Sequence, residues 1–75
     1  MSQEQQLDAE VSGTVCRIEC EVGAVLNQGD AIAVIESMKM EIPVAVDRPV
    51  RLVRLLVAVG DLVNEGQPIA VVANI

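Results

Sequence analysis

The sequence predicts an all-β domain: a flattened, pseudo-two-fold β-sandwich or barrel of two similar sheets. Three observations carry this. The apolar set is dominated by β-branched residues, with 14 Val and 6 Ile in a chain of 75 that is 52% hydrophobic. Such side chains are stiff at χ1 and suit a pleated surface better than a helix. Short apolar runs are separated by turn residues at Asn27-Gln28-Gly29-Asp30 and Asn64-Glu65-Gly66-Gln67. Finally, the chain repeats itself at an offset of 37 residues, with Arg17 matching Arg54, Val22-Gly23 matching Val59-Gly60, and Ile32-Ala33-Val34 matching Ile69-Ala70-Val71. Between residues 14–35 and 51–72, eight of 22 positions are identical and seven more exchange one apolar residue for another. Two copies are too few for a solenoid, which leaves a symmetric sandwich.

Taken in order, residues 1–6 (MSQEQQ) are polar and read as a flexible tail, so the domain is expected over residues 7–75. From Cys16 to Val22 the chain alternates. Cys16, Ile18, Cys20 and Val22 fall on one face, and Arg17, Glu19 and Glu21 on the other, as in a half-buried strand. The repeat partner, Val50–Val59, carries Arg48, Arg51 and Arg54 at helical spacing, yet Pro49 and the many valines favour a strand. Its outward residues would be Leu52, Arg54, Leu56 and Ala58, a greasy face suited to docking or self-association. The repeat ends near residue 35, so residues 36–41 join the halves. By symmetry this junction is an exposed hairpin tip at the end of the molecule opposite the termini. The glycines Gly23, Gly29, Gly60 and Gly66 read as positive-φ turn positions.

Composition excludes several functions. One domain is the most that 75 residues allow. No aromatic residue is present for base or sugar stacking, and five basic residues face eleven acidic ones for a net charge of −6. Nucleic acid and anionic membrane are therefore not expected partners. No apolar run approaches a spanning helix, and a cytoplasmic location is expected. There is no histidine to act as general base or metal ligand. Cys16 and Cys20 on one strand face would lie about 13 Å apart, too far for a disulfide, so two buried, reduced thiols are expected. With no evident base beside Ser2, Ser12 or Ser37 and no phosphate-cradling loop, a self-contained enzyme is not expected; no metal site is expected either.

The junction reads Glu36-Ser37-Met38-Lys39-Met40-Glu41, and Lys39 is the only lysine. Two methionines bracketing a charged residue are odd at a solvent-facing tip. The stretch Glu36-Ser37-Met38-Lys39-Met40-Glu41-Ile42-Pro43-Val44 resembles the attachment motif of biotin carboxyl carrier proteins. The likeness extends from about Leu7 to Ala73 and includes Ser12-Gly13-Thr14-Val15, Val22-Gly23, Gly29-Asp30, Val59-Gly60-Asp61 and Gly66-Gln67-Pro68. One departure is Arg48-Pro49-Val50, where the family usually carries a second small-Gly turn.

The resemblance implies a biotinyl/lipoyl domain with four antiparallel strands in each sheet, and a carrier rather than a catalyst. Biotin would be held covalently on Lys39, joined there by a biotin protein ligase. Met38 and Met40 would be the motif flanks that specify the modification, and Glu36 and Glu41 an acidic feature the ligase can read. A lysine must lose its proton to attack an activated acyl group, so the ligase must assist. A biotin carboxylase would load the carboxyl group and a carboxyltransferase would pass it to an acyl-CoA or a keto acid. Two alternatives stand beside this. A lipoyl carrier shares the fold, but its family typically shows Asp before and Ala after the lysine. An unmodified interaction module would tolerate Lys39→Arg.

Overall fold

The computed structural model describes residues 3–75. Eight strands run through them: β1 (Glu4–Asp8), β2 (Gly13–Ile18), β3 (Val25–Leu26), β4 (Ala31–Ser37), β5 (Met40–Ala45), β6 (Val50–Leu55), β7 (Leu62–Val63) and β8 (Pro68–Asn74). They form two four-stranded antiparallel sheets, ordered β1-β8-β6-β3 and β5-β4-β2-β7. Exchanging each strand for the one four places away turns the first order into the second, so the sequence repeat is the symmetry of the fold. Backbone bonds outside the ladders obey it too. The Gly23 N–H donates to the Leu52 carbonyl at 2.7 Å, and the Gly60 N–H to the Val15 carbonyl at 2.8 Å.

The core lies between the sheets. Val15, Ile32, Ile35, Val50, Leu52 and Ile69 are its largest fully buried side chains, and no polar residue is buried among the described residues. The four expected turn glycines all have positive φ.

Each half carries a matching β-bulge: β2 slips against β4 between Val15 and Arg17, and β6 against β8 between Leu52 and Arg54. A bulge inserts one extra residue and reverses which face the following side chains occupy. Two expectations are corrected by it. Leu52 is fully buried, not outward; the outward residues of this segment are Arg51, Arg54, Leu56 and Ala58. On β2 and the segment after it, Val15, Ile18 and Cys20 face the core while Cys16 sits at the bulge, outside the core cluster, and Val22 is exposed. Both thiols are free and half-buried rather than buried; the Cys16 Sγ lies 3.4 Å from the Val34 carbonyl oxygen.

The expected tail is also corrected. Residues Glu4–Asp8 form an edge strand registered on β8 from Glu4↔Ala73 to Asp8↔Pro68. β8 is an interior strand whose backbone needs partners on both sides, so a polar segment pairs there through its main chain. Residues 1 and 2 of that tail lie outside the described residues.

The molecule measures 39 × 18 × 17 Å. From Met40, β5 runs about 17 Å to Ala45, and just beyond it Arg48 Nε donates to Asn74 Oδ1 at 2.9 Å. The β4–β5 turn and the paired ends of the fold therefore occupy opposite poles. Among the described residues no helix is long and apolar enough to cross a membrane.

Candidate functional site

The β4–β5 hairpin closes through Ile35↔Ile42, Glu36↔Glu41 and Ser37↔Met40, leaving Met38-Lys39 as a two-residue loop. Both loop residues have positive φ, 53° at Met38 and 66° at Lys39, and no other non-glycine among the described residues does. Positive φ at both central positions is the pattern of a type I′ turn, which ordinarily selects Asn-Gly because L side chains resist that conformation. Placing a bulky residue there costs about 1–2 kcal/mol. The flanks hold the turn in place: Ile35 and Val44 are anchored in the core. Beside them, β2 runs so close that a Cβ on Gly13 would overlap the Glu36 carbonyl and come within 2.8 Å of Ile35 Cγ2. The counterpart of Gly13 in the repeat is Val50, fully buried and part of the core.

This scaffold presents Met38 at 92% exposure and Met40 at 64%, with Lys39 exposed between them. Lys39 makes no ion pair among the described residues.

The two tip carboxylates differ in their surroundings. Arg17 Nη2 pairs with Glu41 at 2.9 Å, and Arg17 Nε with Glu19 at 3.0 Å. Hydrogen bonds to Glu19 first, and to Glu41 second, hold the guanidinium above its usual value. Glu36, directly opposite Glu41, makes no ion pair among the described residues. The same register row continues through Thr14 to Leu62, a leucine 80% exposed. Sequence reading missed Arg17 and Leu62 as tip neighbours, because only strand register brings residues 14, 17, 36, 41 and 62 together.

Among the described residues no group of three His, Cys, Asp or Glu could hold a metal. A cleft of about 280 Å³ exists, but Gln5, Leu7, Val46, Arg48 and Val72 line it, at the far end of β5. What the tip offers is a single exposed amine on a turn whose two residues both have positive φ.

Residues 8–72 match the biotin/lipoyl family, described as biotin-requiring enzyme. The chain is 32% identical over 65 residues to the biotin/lipoyl attachment protein of Bacillus subtilis (strain 168), covering 87% of this chain and 89% of that one. It is 33% identical over 69 residues to the biotinylated protein TB7.3 homolog of Mycobacterium leprae (strain TN), covering 92% and 97%. Among solved structures, a single-chain, multi-domain long-chain acyl-CoA carboxylase superposes with a TM-score of 0.91 at 35% identity. Kluyveromyces lactis urea carboxylase superposes at 0.88 and 28%. These matches cover 96% and 93% of this chain but only 7% and 6% of those much longer chains. Family, fold and relatives agree: the chain belongs to the biotin/lipoyl attachment domain family.

Proposed function

We propose that this chain is a biotin carboxyl carrier, holding biotin covalently on Lys39 as a non-catalytic part of an acyl-CoA-type carboxylase. The observation that carries the reading is the placement of the single lysine at the centre of a strained turn between two exposed methionines. A biotinylated relative and two carboxylases of matching fold support biotin as the group and a carboxylase as the setting. Met38 and Met40 on either side of the amine favour biotin over lipoate.

Each residue has a part in this reading. Lys39 Nζ, deprotonated with the ligase's help, forms the amide. Met38 and Met40 offer the ligase apolar contacts, and Glu36 supplies the charge it reads. When bound, biotin supplies a carrier for an activated carboxyl group. The domain holds the arm at one pole and raises its effective concentration at the biotin carboxylase and carboxyltransferase in turn.

The test is the intact mass after co-expression with a biotin ligase and, separately, a lipoyl ligase, with Lys39→Arg alongside. One biotinyl group gained by the wild type and none by the variant is expected. No gain, or gain of a lipoyl group only, would overturn the reading.

A further inference from the structure

The pseudo-symmetry makes each outer-face residue comparable with a counterpart in the other half, and the two faces have opposite electrical character. On the face of β5-β4-β2-β7, Arg17 is neutralised by Glu19 and Glu41, with Glu36 close by. The counterpart of Arg17 is Arg54. There, Glu19 is replaced by Leu56, 45% exposed, Glu36 by Ala73, and Thr14 by a second arginine, Arg51. Glu4 takes the place of Glu41, but neither Arg51 nor Arg54 makes an ion pair among the described residues. Next to Arg51 in register stands Val25, 54% exposed. On a chain of net charge −6, this face combines two uncompensated guanidinium groups with exposed apolar residues.

We propose that the outer face of the β1-β8-β6-β3 sheet, centred on Arg51, Arg54 and Leu56, is a docking surface for an acidic protein surface on the carboxylase served by the tip. This rests on the carrier reading. Charge complementarity selects the occupant. An acidic partner is repelled by the rest of the molecule and attracted here, so one orientation is favoured on approach. The face lies along the length of the molecule rather than at its tip, so it stays available while Lys39 enters another protein's site. The molecule is at most 18 Å across in its short dimensions. A contact of that size belongs to the small, transient class, which suits a carrier that must leave one site for another.

The test uses the biotinylated chain as substrate, in varied concentration, for the biotin carboxylase and then the carboxyltransferase of the source organism, at low and high salt. Wild type is compared with R51E/R54E and with the milder R51Q/R54Q, each checked by thermal melting. With at least one of the two enzymes, KM for the carrier is expected to rise about tenfold in the reversal variant, equivalent to ~1.4 kcal/mol. The neutral variant should fall between, kcat should hold, and the salt dependence should flatten. The rate of biotinylation by the ligase should be unchanged. An unchanged KM with both enzymes would overturn the proposal. So would a matching loss of biotinylation, which would make the ligase the occupant, or salt-sensitive self-association abolished by the variant, which would make it a second copy. Failure of the carrier reading is visible separately, as a wild-type chain that acquires no biotin.

Discussion

In the proposed carrier reading, Met38 is the residue where stability and recognition pull apart. Its φ of 53° is one that asparagine accepts more readily than methionine. Met38→Asn should therefore stabilise the fold by about 1 kcal/mol, seen as a raised Tm, while the rate of biotinylation falls. A variant that loses both would show that the methionine is structural. Cys20 offers a second test at this scale. Burial, and after it the charge of Glu19, pushes its thiol above the ordinary value of 9.0. The unfolded chain then releases its proton at a lower pH than the folded one, so stability holds below pH 9 and declines above it. Cys20→Ala should remove that contribution to the alkaline decline in a pH series of thermal melts.

The matched bulges decide which residues of β2 and β6 belong to the core. Leu52→Ala should cost about 2–5 kcal/mol because the side chain is fully buried, whereas Leu56→Ala should stay within about 0.5 kcal/mol. Urea melts of the two variants measure this directly, and equal costs would contradict the observed register. Leu52 also marks where the sequence ceased to be legible. Strand content, the turn glycines and the tip at residues 36–41 were readable because residue type and the internal repeat encode them locally. The bulge was not, since inserting one residue leaves no mark in an apolar run such as Leu52-Val53. β1 escaped notice for a related reason: Gln5 and Gln6 contribute backbone hydrogen-bonding groups to the sheet, and little else. Arg17 could be seen only as a surface charge until register brought it to Glu41.

At the scale of the whole molecule, two halves of one sequence repeat have been put to different uses. One half turns its sheet ending into the hairpin that presents Lys39; the other ends in Glu4 and Ala73, paired side by side at the far pole. One face gathers carboxylates around Arg17, and on its counterpart Arg51 and Arg54 make no ion pair among the described residues. The juxtaposed ends have an architectural consequence. Where Glu4 faces Ala73 the backbones are about 5 Å apart, narrow enough for the unit to be spliced into a surface loop of a host protein as a single side branch. Incoming and outgoing chain would share one stem, and the lysine would point away from the host along the branch. A fold with this seam can serve as a free-standing protein or as a small appendage of a large enzyme without redesign of its core.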